Sequence, residues 1–227
     1  MAMHGGDSHE GHQHHDCSGP ARAKLDQLVK AAEQLGISAK SALVLDEDWE
    51  QVEKHAEAFS IDLVIMGSHG VSRIRRIFLG SHALQMIRHT HLPVLIIKSA
   101  ITDFKIRRVV FVTTLEEEQE ALAFLDQVTG PWNAVIHLLY VSKPMTSEET
   151  NVSLGKMQQL TKGLKTPVEF SICNEQAEIE KVAMDLDADM IVLTTHGNNS
   201  LFRAVSSGLA EKFAAEHEGP ILIINTK

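Results

Sequence analysis

Ile61-Asp62-Leu63-Val64-Ile65-Met66-Gly67-Ser68-His69-Gly70 joins an apolar run to a glycine-containing turn, and Gly80-Ser81 follow ten residues after Gly70. The apolar run predicts a buried strand, and the residues after Gly80 follow a helical period. A second apolar run, Leu92-Pro93-Val94-Leu95-Ile96-Ile97, closes the unit as another strand. A glycine loop at a helix N-terminus exposes backbone N–H groups, so this stretch predicts a site for an anion such as phosphate.

The composition argues against a nucleic-acid-binding, a disulfide-rich or a membrane protein. The chain has 227 residues, 44% of them hydrophobic, and a formal net charge of -9. This charge argues against a broad nucleic-acid-binding surface. The two cysteines form no disulfide framework, which favours a reducing, cytoplasmic setting. No apolar run approaches membrane-spanning length, and no signal peptide is visible, so we expect no membrane partner.

Strands and helices alternate along the chain. We predict strands at 41–45, 61–66, 93–98, 106–112, 134–141, 167–173, 190–194 and 220–224. We predict helices at 21–35, 81–90, 116–128, 147–164, 176–185 and 201–216. This alternation predicts an α/β protein with a doubly wound parallel sheet, and the continuous Val, Ile and Leu runs fit strands buried on both faces.

The chain contains an internal repeat with an offset of 127 residues. The segment from Ile61 to Gly70 matches Ala188 to Gly197, and Leu92–Ile97 matches Gly219–Ile224. The two copies are unequal, because the equivalents of strands 106–112 and 134–141 would fall before Met1 and inside a His-rich head. A tandem duplication with an incomplete first copy is therefore predicted.

The glycine spacing, the Asp-containing strand before it and the apolar strand that closes the unit together resemble the universal stress protein family, in its tandem-domain form. The resemblance implies two tandem Rossmann-like units, similar to adenine nucleotide alpha hydrolases, of which the first lacks its initial strands. It also implies pairing through the last strands, either in a homodimer or as an intramolecular domain pair. Some members bind ATP, which makes an adenine nucleotide the expected partner.

Carried over by position, the resemblance assigns the nucleotide to one loop of the first copy. Its residues are Gly67, Ser68, His69, Gly70, Gly80, Ser81 and His82. The alternative is that these glycines only permit tight turns and close packing. The second copy departs from the pattern, since Thr194 replaces the first glycine and Val112-Thr113-Thr114 stands where the family has an acidic residue. We therefore interpret the second copy as a structural partner.

The predicted domains are a flexible His-rich segment at 1–20, a truncated unit at 21–99 and a complete but degenerate unit at 106–227. Three explanations of the truncation are open: an assigned start that is too far downstream, a segment that was cut, or a partner chain that fills the gap. The first is preferred, with Met1 or Met3 mistaken for the true start. The head contains the candidate zinc ligands His4, His9, His12, His14 and His15. Imidazole and carboxylate suit divalent metals, although no spacing there matches a defined zinc site.

Three functions follow from these patterns. The first is an ATP-binding regulator of the stress response that has no turnover of its own. The second is a slow ATPase, which would need a metal-binding carboxylate and a positioned base that the loop sequence does not supply. The third is a metal-binding or interaction protein that uses the His-rich head.

Overall fold

The computed structural model describes residues 18–43, 54, 56, 58–67, 86–87, 90–97, 101, 104–115, 118–175, 178–196 and 219–226. The chain divides into two compact units, Met1–Asp48 and Trp49–Lys227. The N-terminal unit contains one described helix, and the C-terminal unit contains every strand of the sheet described below.

The helix of the N-terminal unit is α1, Ser18–Gln34. It ends at Gly36, whose φ of 76° is a left-handed conformation that glycine adopts readily, and whose N–H donates to Glu33 O. Residues 37–43 form no strand. The predicted strand 41–45 is therefore wrong over 41–43, and its last two residues lie outside the described part of the chain.

From β3 to β6 the C-terminal unit alternates strands and helices as the sequence predicts, and the element bounds differ from the predicted ones by a few residues. The predicted helix 201–216 and all of the predicted helix 81–90 except 86, 87 and 90 lie outside the described residues. The bounds of the described elements are β1 Val64–Gly67, β2 Val94–Ile97, β3 Arg108–Thr113, α2 Gln119–Thr129, β4 Val135–Val141, α3 Ser147–Leu160, β5 Val168–Cys173, α4 Glu178–Asp185, β6 Met190–His196 and β7 Ile221–Thr226. A short 3-10 turn, Gly130–Trp132, follows α2. The helix α3 begins with a complete capping box between Thr146 and Glu149.

All seven described strands join one sheet in the order β1-β2-β7-β6-β3-β4-β5. Every neighbouring pair is parallel except β2 and β7, which run antiparallel. The chain leaves β3 for β4 on one side and returns through β6 on the other, which is the mixed, doubly wound α/β arrangement predicted from the sequence. The five strands predicted for 106–227 are present, and two strands from 61–98 extend the same sheet.

The strand pairing follows the 127-residue offset residue by residue. Val64 pairs with Val94 in β1 and β2, and their repeat equivalents Ile191 and Ile221 pair in β6 and β7. The antiparallel contact is symmetric as well, because Leu95 faces its own equivalent, Leu222. A local two-fold axis therefore passes between Leu95 and Leu222, and the last strands of the two copies pair within one chain.

Helices cover both faces of the sheet. On one face, Leu122 and Leu125 of α2 and Met157 of α3 pack against strand residues that include Phe111 and Leu138. On the other face, residues of α4 pack against Val110, Leu139 and Ile191. The core therefore centres on β3, β4 and β6, which carry fully buried apolar side chains.

The first strand departs from its prediction in length and burial. It begins at Val64 rather than Ile61, and the side chain of Ile65 is 63% exposed. Among the described residues β1 has β2 as its only strand neighbour, whereas its equivalent β6 lies between β3 and β7. The prediction of burial on both faces is wrong for β1, because an apolar strand is buried only where neighbours flank and cover it.

Candidate functional site

The candidate site lies at the carboxyl ends of the parallel strands. In doubly wound sheets, ligands bind outside these ends, where the chain switches from one side of the starting strand to the other. Here that point falls between β3 and β6, with β4 on the far side of β3. The repeat places a second set of strand ends at β1 and β2.

Gly67 is the last residue of β1 and pairs with Ile97 of β2. Because β2 runs antiparallel to β7, these carboxyl ends lie at the opposite edge of the sheet from those of β3 and β6. A Cβ added at Gly67 would meet no heavy atom of the described structure within 4 Å. Within the described residues, the space that a side chain would take at this strand end is therefore unoccupied. Of the predicted nucleotide residues, only Gly67 is described. The others lie outside the described part of the chain, namely Ser68, His69, Gly70, Gly80, Ser81 and His82.

The equivalent strand end of the second copy is built differently, around a buried carboxylate. Glu118 precedes the first residue of α2 and is 0% exposed. Its side chain makes no hydrogen bond with the N-terminus of its own helix. The carboxylate turns to the strands instead, where Thr194 Oγ1 donates to Oε1 at 2.9 Å and the hydroxyl of Thr113 donates to Oε2.

Two backbone contacts complete this cluster. The N–H of Thr114 donates to Glu118 Oε1 at 3.3 Å, and the N–H of Leu115 donates to Thr113 Oγ1 at 2.9 Å. Leu115 has a φ of 64°, a left-handed conformation that is uncommon for a residue with a bulky side chain. The loop after β3 is therefore folded back onto the strand ends. We call Glu118, Thr113 and Thr194 the carboxylate latch.

The latch joins the ends of β3 and β6 at the switch point itself. Both strands contribute a hydroxyl to one carboxylate, and Thr113 is also fully buried. A ligand phosphate at this strand end would have to displace these hydrogen bonds. The sequence identified two of the three residues of the carboxylate latch, Thr113 and Thr194, as departures from the family pattern. It did not single out Glu118.

A cleft of about 620 Å³ opens beyond the end of β4. It is lined by Tyr140, Ser142, Lys143, Pro144, Met145, Glu148, Glu149, Val152 and Ser153. The carboxylate of Glu149 already accepts hydrogen bonds from the backbone and hydroxyl of Thr146. These contacts lower the pKa of Glu149 from its ordinary 4.5. The cleft brings together none of the predicted site residues.

The predicted metal ligands, His4, His9, His12, His14 and His15, lie outside the described residues, so zinc binding by the His-rich head stays a prediction. Elsewhere, within the described ranges, no group of three or more His, Cys, Asp or Glu side chains is arranged to hold a metal ion. The described helices also include none that is long and apolar enough to cross a membrane.

Residues 4–98 match the model of the universal stress protein family. The chain is 35% identical over 78 residues to Universal stress protein MJ0577 of Methanocaldococcus jannaschii, which covers 34% of this chain and 48% of that protein. It is 37% identical over 75 residues to Universal stress protein Slr1230 of Synechocystis, covering 33% of this chain and 26% of the relative. The chain thus spans about half or less of the length of these curated relatives.

Solved structures share the fold over most of the chain. A universal stress protein from Archaeoglobus fulgidus superposes with a TM-score of 0.71 at 19% identity, covering 92% of this chain and 77% of that one. A structure described as a putative universal stress protein from Pseudomonas aeruginosa gives 0.68 at 16% identity, covering 90% and 78%. These likenesses concern the fold, whereas the sequence match concerns the segment that contains Gly67. Through residues 4–98, the chain is similar to the universal stress protein family.

Proposed function

We propose that this chain binds an adenine nucleotide, ATP, at the loop that begins with Gly67, and that it acts as a nucleotide-responsive regulator in the stress response. The observation that carries the proposal lies at the carboxyl end of β1. Within the described residues, the space of a side chain at Gly67 is unoccupied, and the sequence continues with Ser68-His69-Gly70 and, later, Gly80-Ser81. Backbone N–H groups in such a sequence suit phosphate oxygens.

Charge supports the same assignment. The sequence between Gly70 and Gly80 contains Arg73, Arg75 and Arg76, although the chain as a whole carries a net charge of -9. Guanidinium groups pair with phosphate in a planar, two-pronged geometry. A local excess of positive charge in an acidic protein therefore favours a phosphate-bearing ligand at this loop over an uncharged one.

The second copy is proposed to bind no nucleotide. The position equivalent to Gly67 is Thr194, whose hydroxyl is bonded to Glu118. A nucleotide phosphate at that strand end would meet a Thr side chain and would have to displace its hydrogen bond to the buried Glu118. One nucleotide per chain is therefore the expected stoichiometry.

The regulator is proposed to have no turnover of its own, and a cytoplasmic location stays a prediction. Phosphoryl transfer needs a metal-binding carboxylate and a group that positions the nucleophile near the phosphates. The sequence from Gly67 to Ser81 contains neither Asp nor Glu. Steady phosphate release above background that disappears when the loop is changed would contradict this part of the proposal.

Calorimetric titration with ATP of the full chain and of Gly67→Thr tests the binding. This change reproduces the residue of the second copy, and it should leave β1 undisturbed, because no described heavy atom lies within 4 Å of a Cβ placed at Gly67. We expect ATP affinity to fall at least tenfold in Gly67→Thr, because the added Cβ and hydroxyl occupy the position where phosphate approaches the backbone.

The matched control is Gly155→Thr, the same change at an exposed position of α3 that also has no heavy atom within 4 Å of an added Cβ. It should leave ATP affinity unchanged. Equal affinity in wild type and Gly67→Thr, or the absence of binding by the wild type, would remove nucleotide binding at this loop from the account.

A further inference from the structure

A polar cluster lies at the opposite end of the sheet from β1. His137 on β4 stands opposite Glu169 on β5, and the next pair on the same face is Leu139 with Ser171. Side chains alternate between the two faces of a strand, so His137, Glu169 and Ser171 share one face. The strand β5 is the last in the described sheet order. We call these three side chains the edge cluster.

The distances within the edge cluster are short. His137 Nε2 lies 2.7 Å from Ser171 Oγ, and His137 Nδ1 lies 3.5 Å from Glu169 Oε2. The imidazole is largely enclosed, with 13% of its side chain exposed, whereas the side chain of Glu169 is 66% exposed. The ring therefore sits between a half-buried hydroxyl and a carboxylate that reaches solvent.

The Nδ1 atom of His137 is buried and has no hydrogen-bond partner among the described residues. A buried polar atom without a partner is unusual and calls for an explanation. Glu169 offers one, since a carboxylate 3.5 Å away favours the tautomer that carries its proton on Nδ1. The other ring nitrogen, Nε2, then carries a lone pair, which accepts a hydrogen bond from the hydroxyl of Ser171.

This order of groups activates the hydroxyl. A serine hydroxyl bonded to a neutral imidazole, which is oriented by a carboxylate on its other nitrogen, is the arrangement in which a weak nucleophile loses its proton as it attacks. The neighbouring carboxylate disfavours anionic reagents such as phosphate esters. An uncharged electrophile small enough to reach a half-buried side chain fits the cluster best.

We propose that Ser171 is a covalent acylation site for small uncharged carboxylic esters and thioesters, activated by His137 and positioned by Glu169. In this step Ser171 Oγ forms a bond to the acyl carbon and its proton passes to His137 Nε2. The bond from the acyl carbon to the leaving oxygen or sulfur then breaks, and the leaving group takes that proton. The product is an O-acyl serine, and no oxidant or reductant is required.

The edge cluster lies on different strands from the proposed nucleotide loop. It would react with an uncharged compound, whereas the loop would bind an anionic one. It rests on described residues of β4 and β5 alone, so it stands or falls independently of ATP binding at Gly67. Acylation would replace the hydroxyl proton with a bulkier ester and break the bond to His137. The edge cluster would therefore be a site of covalent modification by acyl donors.

The test treats the full chain with p-nitrophenyl acetate and follows both nitrophenolate release and the acetylated peptides by mass spectrometry. We expect one acetyl group on Ser171, none on that residue in Ser171→Ala, and at least a tenfold slower reaction in His137→Gln. Ser153 is the internal control, because its hydroxyl donates to Met145 Sδ, at 3.7 Å, and not to an imidazole. Acetylation of Ser171 no faster than of Ser153 would overturn the proposal.

Glu169→Gln separates positioning from folding, since the side chain is mostly exposed and its replacement should leave thermal stability unchanged. We expect the acetylation rate of Ser171 to fall severalfold, and the ¹⁵N NMR signals of His137 to shift from the Nδ1–H towards the Nε2–H tautomer. An unchanged rate together with an unchanged tautomer would show that Glu169 plays no part.

Discussion

The strands β1 and β6 occupy equivalent places in the repeat and have similar apolar sequences, yet they experience different surroundings. Ile191 and Val192 of β6 are both 0% exposed, while Ile65, the equivalent of Val192, is 63% exposed. The difference lies in their neighbours, because β6 is flanked by β3 and β7 and β1 pairs with β2 alone among the described strands. An apolar run specifies a strand, and its position in the sheet decides how much free energy its burial contributes.

The two strand ends differ in the same way. At the end of β1, no described heavy atom lies within 4 Å of a Cβ placed at Gly67, whereas at β6 the side chain of Thr194 is bonded to the buried Glu118. The bonded strand end belongs to the copy with the more complete core, and the proposed nucleotide site belongs to the copy with the exposed strand.

The largest expected contrast comes from the same substitution in both strands. Ile191→Ala removes fully buried carbons and should lower the free energy of unfolding by about 2–5 kcal/mol. Ile65→Ala removes a mostly exposed side chain and should change it by less than about 0.5 kcal/mol. Urea denaturation of the two variants measures both values, and similar losses would show that β1 is as enclosed as β6.

The next contrast concerns the carboxylate latch. Glu118→Ala leaves two buried or half-buried hydroxyls and one backbone N–H without an acceptor, and should lower the free energy of unfolding by about 2–4 kcal/mol. Glu120→Ala, an exposed change two residues further along, should cost less than about 0.5 kcal/mol. Equal midpoints in urea denaturation would mean that the latch contributes nothing to stability.

The smallest expected effect is a pH dependence of stability, which comes from Asp126 in the copy with the more complete core. Partial burial raises the pKa of Asp126, but hydrogen bonds from Thr166 and from the backbone of Lys165 outweigh it and hold the pKa below its ordinary 3.8. Because the folded pKa is depressed, the contribution of Asp126 is present above pH 3.8 and is lost as the pH falls through the folded value. Solvent screening keeps it below about 1 kcal/mol.

Asp126→Asn should therefore be slightly less stable than the wild type at neutral pH. The gap should close in acid, when melting temperatures are compared from pH 7 down to pH 2. Asp26→Asn, at an exposed position of α1, provides the control and should show no such convergence. A difference in melting temperature that widens in acid would contradict the lowered pKa of Asp126.

The sequence predicts the strands of the C-terminal half closely, because their apolar runs are long, uninterrupted and buried on both faces. It predicts less in the first half, where the segment 41–43 is apolar enough for a strand but forms none. Local pattern cannot supply the neighbours that a strand needs. The register of the repeat was readable from sequence, since Val64 and Ile191 occupy matching pairings in the structure.

The candidate sites divide along the same line. Gly67 is recognisable from its place after an apolar strand, and the structure puts it at the carboxyl end of β1. The buried Glu118 was not predictable, because an acidic residue at a helix start normally faces solvent and favours the helix dipole. The contact of His137 with Ser171 joins residues 34 positions apart on adjacent strands, so no local pattern reveals it.

The proposed function requires that one strand end of this chain, and not both, binds a nucleotide. Native mass spectrometry with saturating ATP counts the bound molecules directly in wild type, Gly67→Thr and Thr194→Gly. We expect one ATP per chain in the wild type, none in Gly67→Thr and one in Thr194→Gly. Two ATP molecules in the wild type, or one that survives Gly67→Thr and is lost in Thr194→Gly, would contradict the claim.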